Sequence, residues 1–222
     1  MDRRPLILTR ARLTRATLPA VVALSLVVGC GGGSNSAAPG TGTSGTTAEQ
    51  NGAGQWAGAA LGEPRAVPPF LLTDQDGNRI GPQSFPGKAV LITFLYVHCP
   101  DVCPLIASNL NIALQGLDPA QRRDVRVLAV SVDPKGDTPK SVEKFVRERT
   151  LVPEFRYLIG GADELTKVWR KYDVQAVRKD PEEVDHVAYT LLVDPAGKGI
   201  VIYDAGVQAK DVLHDLRQVL AS

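Results

Sequence analysis

The chain of 222 residues carries 25 Lys plus Arg against 24 Asp plus Glu, is 44% hydrophobic, and holds three cysteines and three histidines. That length suits one ordinary domain with tails. Balanced charge leaves no basic footprint for nucleic acid, and the apolar content excludes wholesale disorder. Any metal or redox chemistry must draw on nearly all of so short a Cys and His inventory.

Residues 1–29 hold five arginines (Arg3, Arg4, Arg10, Arg12, Arg15) against Asp2, followed by an uncharged apolar run over 16–28 that ends at Gly29-Cys30. A basic start, an apolar stretch of about 7–15 residues and a small residue before the cut form the layout of a secretory signal peptide. A membrane-spanning helix needs about 20 apolar residues, more than this run offers. Val27-Val28-Gly29-Cys30 resembles the lipobox of bacterial lipoproteins. That resemblance implies that Cys30 becomes the first mature residue and carries lipid through its sulfur. Residues 30–62 then read as a lipid-anchored, Gly/Ser-rich flexible linker. Ten of the 21 glycines lie in 31–62, with Glu49 the single charge. Such a stretch cannot bury enough apolar surface to offset its ordering entropy. Trp56 and Leu61 are its only large apolar residues.

One α/β domain is expected over residues 63–222. Pro64, Pro68 and Pro69 close the linker, and residues 70–72 open a short strand before the turn Asp74-Gln75-Asp76-Gly77-Asn78, whose Gly and Asn tolerate positive φ. Residues 89–97 (AVLITFLYV) are almost continuously apolar and rich in β-branched and aromatic side chains, the mark of a strand covered on both faces. Leu105, Ile106, Leu110, Ala113, Leu114 and Leu117 form a helical stripe that predicts a helix over 101–117. A strand follows over 125–132. Thr138 supplies an N-cap and Pro139 a first-turn proline for a helix to 149. A strand at 155–159 and a helix at 162–172 come next. The polar connection 173–185 reads as a surface loop or a small hairpin. Residues 186–193 read as a strand, then the turn Asp194-Pro195-Ala196-Gly197, an antiparallel strand at 199–203 and a closing helix at 210–220. No internal repeat is present. This order predicts a three-layer α/β sandwich with a mixed central sheet.

The segment His98-Cys99-Pro100-Asp101-Val102-Cys103-Pro104 falls where the buried strand gives way to a helix. In open α/β sheets, ligands bind beyond the carboxyl ends of strands. Cysteines four apart on a helix share a face, within reach of one metal ion or of a disulfide. The helix N-terminus favours the reactive thiolate. Inert packing or a structural disulfide would not need that strand-to-helix setting. Two thiolates leave a soft metal short of ligands. His98 adjoins Cys99, but neighbouring side chains diverge. His214 sits in the closing helix between Lys210 and Asp215 and reads as a surface residue. His186, within Val184-Asp185-His186-Val187-Ala188-Tyr189, is as readily a structural histidine as a ligand.

Gly87-Lys88-Ala89-Val90-Leu91-Ile92 through Tyr96-Val97-His98-Cys99-Pro100-Asp101-Val102-Cys103-Pro104 resembles the signature of the SCO/SenC family. These are thioredoxin-fold copper proteins that help build the binuclear copper centre of cytochrome c oxidase. Ser131-Val132-Asp133-Pro134 with Asp137-Thr138-Pro139 resembles the family's second motif. Val184-Asp185-His186 ahead of Leu192-Val193-Asp194-Pro195-Ala196-Gly197 resembles its third, so the likeness runs over about 64–220. It implies a thioredoxin-like fold and copper ligands at Cys99, Cys103 and His186. Two thiolates and an imidazole suit Cu(I) and also accommodate Cu(II); zinc usually asks for a fourth ligand. Asp101, Asp133 and Asp137 are the nearest carboxylates by motif, expected to cap loops or orient ligands rather than bind metal.

The implied function is a copper metallochaperone, lipid-anchored on the extracytoplasmic side of a bacterial cell membrane. Its partners would be the copper-bearing oxidase subunit or another copper chaperone. The alternative is an enzyme, a thiol–disulfide oxidoreductase with Cys99 attacking and Cys103 resolving. The three-residue spacer, where thioredoxin-like reductants have two, favours metal, as does Ala188 in place of their cysteine-facing proline. Tyr96, three residues before Cys99, replaces the threonine that peroxidase chemistry would want. A copper sensor or scavenger fits the same residues, because the oxidase client is carried by the resemblance alone.

Overall fold

The computed structural model describes residues 55–179 and 184–222; the expected signal peptide, Cys30 and most of the expected linker lie outside these residues. The apolar run becomes β4 (Ala89–Leu95), buried at every position. It pairs in parallel with β5 (Val125–Ser131) and antiparallel with β9 (Thr190–Val193), so that Ile92 faces Leu128 on one side and Leu191 on the other. A strand flanked on both edges and covered on both faces must be apolar throughout, which is why its sequence shows no alternation. β6 (Phe155–Leu158) extends the parallel set, while β10 (Lys198–Tyr203) and β1 (Ala59–Ala66) extend the other side, giving the order β1-β10-β9-β4-β5-β6. This is the expected mixed sheet of a thioredoxin-like α/β sandwich.

Helix α1 (Val102–Gln115) buries Cys103, Ile106, Ala107, Leu110, Ala113 and Leu114, leaving Leu105 and Ile112 exposed on its outer side. It packs against α5 (Ala209–Leu220). A single-turn helix α2 (Pro119–Arg123) leads into β5. Helix α3 (Pro139–Glu148) starts as its sequence requires, with the Thr138 hydroxyl accepting from the Ser141 amide at 3.2 Å. Past α4 (Ala162–Lys171) the Tyr172 ring meets Phe94 of β4 at 5.7 Å, and Trp169 donates its indole N–H to the Ser131 carbonyl at 2.9 Å. The small hairpin β2 (Leu72–Thr73) and β3 (Arg79–Ile80) carries the expected turn and places Gln75 against the β6 edge. The Gln75 amide donates to Phe155 O at 3.1 Å and accepts from Tyr157 N at 2.9 Å, satisfying that edge as another strand would.

Two boundaries differ from expectation. Residues 59–62 are strand rather than linker, and Trp56 packs on the core. Every residue of β1 is exposed, so no apolar alternation marks it; pairing with β10 at both ends, across a bulge, holds it. The expected strand over 186–193 is also broken. His186 closes β8 (Val184–His186), which pairs with β7 (Ala176–Arg178) in a two-stranded sheet of its own, and β9 begins only at Thr190. Among the described residues of 173–185, β7 and β8 pair antiparallel, as the hairpin reading expects.

Candidate metal centre

Beyond Leu95 the chain turns before α1 begins. The Val97 amide is held by Asp137 Oδ1 at 2.9 Å, and the Cys99 amide bonds back to Tyr96 O at 3.3 Å. Cys99 thus sits in the turn and Cys103 in the first turn of α1, with the Cys103 amide donating to Cys99 Sγ at 3.4 Å. Both cysteines are buried, Cys103 completely and Cys99 with 7% of its surface exposed. Both are free thiols.

The surroundings split the pair electrostatically. The Cys103 thiol hydrogen-bonds to Cys99; this outweighs burial and, with the Cys103 and Asp101 amides and the Tyr96 hydroxyl, brings the Cys99 thiol down to about 5. The same hydrogen bond and burial push Cys103 well up. Cys99 therefore carries the anion and Cys103 the proton. The Tyr96 hydroxyl, over the same sulfur, is pushed up to about 12, chiefly by burial. Asp101 contributes its amide to Cys99, while its side chain is exposed and makes no cap hydrogen bond; its carboxylate has no place in the site.

His186 completes the cluster. Its Nε2 lies 4.0 Å from Cys103 Sγ, and its ring meets Tyr96 edge-on at 5.9 Å. Burial lowers the imidazole pKa, favouring the neutral form that can ligate. Its Nδ1 is buried with no hydrogen-bond partner among the described residues. Metal–sulfur and metal–nitrogen bonds are about 2.3 and 2.0 Å, so a sulfur and a nitrogen 4.0 Å apart can share one ion without rearrangement. The structure thus brings Cys99, Cys103 and His186 together, and leaves His214 away from them, its Nε2 3.3 Å from Gln55 O.

His98, Asp133 and Asp137 also converge, with potential donor atoms within 4.8 Å of one another. Both carboxylates are already engaged. Asp133 accepts from Arg178 and from the Lys135 and Gly136 amides at 3.1 and 3.0 Å. Burial raises its pKa, but those donors outweigh burial and hold it below the ordinary value. Asp137 accepts from Val97 N, from Ser131 Oγ at 2.6 Å and from Tyr157 OH at 2.9 Å, and burial pushes it up to about 6. Asp137 braces the turn before Cys99, and Asp133 caps its own loop. Gly136 is required between them, since a Cβ there would lie 2.2 Å from Asp133 Oδ2 and 2.9 Å from His98 Nδ1. Sequence reasoning missed Arg178, which lies in the unpatterned connection 45 positions from its partner. Tyr96 was legible as part of the signature stretch, but its hydroxyl's place beside Cys99 was not.

The sequence model of the SCO1/SenC family matches residues 58–221. Protein sco1 of Schizosaccharomyces pombe is 27% identical over 161 residues, which are 69% of this chain and 60% of that protein, so the chain spans less than two thirds of that relative's length. Bradyrhizobium japonicum ScoI, solved with copper bound, has a TM-score of 0.61 at 31% identity, covering 70% of this chain and 99% of that one. BsSco, a member of the Sco family of cytochrome c oxidase assembly proteins in which a disulfide switch was identified, has a TM-score of 0.61 at 26% identity over 73% of this chain and 98% of its own. The match opens at the residue before β1, runs through the site and ends with α5, and on that span the chain belongs to the SCO1/SenC family.

Proposed function

We propose that the chain is a membrane-anchored copper carrier that helps assemble the binuclear copper centre of cytochrome c oxidase. One observation carries the reading: two sulfurs and a half-buried imidazole meet at the carboxyl end of β4, with Cys103 Sγ and His186 Nε2 4.0 Å apart. Copper is the cargo. Two soft sulfurs and a nitrogen hold Cu(I) and Cu(II), whereas a closed zinc site would call for a fourth ligand. Cys99 enters the site as thiolate, and Cys103 gives up its proton on binding. ScoI with copper bound and the oxidase-assembly role of the family of BsSco support the cargo and the client. Anchorage rests on the lipobox-like ending at Cys30, which would place the domain on the extracytoplasmic face.

The test compares the reduced full-length chain with its His186→Ala variant in copper titration and absorption. One copper per chain is expected, with a thiolate-to-Cu(II) charge-transfer band. The variant should bind more than about a hundredfold more weakly, beyond the loss an outer partner causes. Near-normal affinity in the variant would sink the ligand assignment.

A second reading has its own support. A thiolate at Cys99 beside a fully buried, protonated Cys103 is the arrangement of an attacking and a resolving cysteine. Cys99 would attack a client disulfide, and Cys103 would then displace the client thiol, leaving a Cys99–Cys103 disulfide and a client reduced by two electrons. That disulfide removes both sulfur ligands, so copper loading and exchange exclude each other. Thiol exchange tolerates the loss of His186, whereas copper holding does not.

A further inference from the structure

We propose that Arg178 is a positioning residue for the metal site: its ion pair with Asp133 latches the β7–β8 hairpin, and His186 with it, against the cysteine pair. The inference deepens the copper-carrier reading and rests on it. A two-stranded hairpin alone is marginal in water, and β7–β8 is separate from the six-stranded sheet. Some further contact must therefore fix the strand that carries His186.

The register shows where that contact is made. Ala176 pairs with His186 and Arg178 with Val184, while Val177 pairs with Asp185. Directly opposed residues share a face, and faces alternate along a strand. Val184 is buried, and Val177 and Asp185 are exposed, so Arg178 and His186 lie on the face turned toward the domain. From that face Arg178 donates to Asp133 Oδ1. Asp133 is itself 3% exposed and pinned by the Lys135 and Gly136 amides. The same short loop ends at Asp137, which grips the amide of Val97, two residues before Cys99. One loop thus holds the turn of the cysteine ligands through Asp137 and the hairpin of the histidine ligand through Asp133. Removing one partner of a buried ion pair leaves the other charge uncompensated. The guanidinium also offers directed N–H donors that a lysine cannot fully copy.

The experiment uses the full-length reduced chain and its Arg178→Gln and Arg178→Lys variants. Hydrogen exchange of the metal-free proteins reads the latch, and copper competition with the nitrogen hyperfine pattern of the Cu(II) form reads His186. In Arg178→Gln, β7–β8 amides are expected to exchange faster while β4 and β5 do not. Copper should bind about tenfold to a hundredfold more weakly, the loss typical of an outer partner, with a weakened nitrogen pattern. Arg178→Lys should recover part of both. Unchanged hairpin exchange, or unchanged affinity and nitrogen pattern in Arg178→Gln, overturns the latch alone. An unaltered chain that binds no copper overturns the carrier reading instead, and with it the latch's role in ligation.

Discussion

At Cys99 the chain has left β4 and not yet entered α1, so its sulfur collects hydrogen bonds from the Cys103 thiol and from the Cys103 and Asp101 amides. Cys103, four residues on, lies inside α1 with no exposure, keeps its proton and donates a hydrogen bond to that neighbour. One residue type acquires two chemistries from two positions. In the reduced, metal-free chain, iodoacetamide should therefore label Cys99 and spare Cys103, at a rate that rises with pH about a midpoint near 5. Cys103→Ala should move that midpoint up, because the largest cause of the shift is gone. The same shift enters folding stability. The folded Cys99 binds fewer protons than an unfolded thiol, whose pKa is about 8.5. Its contribution thus rises between about pH 5 and 8.5 and is lost as pH falls through 5. Cys103, shifted upward, has the opposite sign and erodes stability above about pH 8.5. Labelling at Cys103, or a Cys99 midpoint near that of a free thiol, would remove Cys99 as the ready anion of the site.

Among the elements, those with strong patterns formed where their sequences place them. The solid apolar run made β4, the 3.6-residue stripe made α1, and Thr138-Pro139 started α3. The three candidate ligands were legible through motifs, because a four-residue cysteine spacing and a named histidine survive in one dimension. What escaped depends on pairing across distance. β1 has no buried residue to announce it. Asp215, beside a surface histidine in sequence, is in fact fully buried on α5. It accepts from Ala57 N at 2.7 Å, Gly58 N at 3.0 Å and Tyr203 OH at 2.7 Å. It thereby fastens the residues that lead into β1. Hydrogen bonds to a charged acceptor contribute about 1.5–3 kcal/mol each when broken one-sidedly, so Asp215→Ala should cost more than about 2 kcal/mol in urea unfolding. In a chain lacking residues 1–58 the same substitution should cost less, since two of the three donors are gone. Equal costs in both chains would show that Asp215 serves Tyr203 alone.

For the molecule as a whole, the direction of β1 carries functional weight. Ala59 pairs with Ile202, Ile202 with Leu191 and Leu191 with Ile92, whereas Ala66 lies opposite Lys198, near the Val90 end of β4. β1 therefore runs opposite to β4, and the chain enters the domain at the end where β4 delivers Cys99. Ala57 and Gly58 line one cleft with Val187 and Ala188, the residues that follow His186. We propose that lipid at Cys30 anchors the chain to a membrane. None of the helices among the described residues is long and apolar enough to cross a membrane. Cys30→Ala should accordingly move the chain from the membrane fraction to the soluble one while its copper stoichiometry stays at that of the unaltered protein. A variant that still sediments with membranes after a high-salt wash would refute the lipid anchor. A variant that loses copper would instead bring Cys30 into the ligand set, displacing the three-residue site at the end of β4.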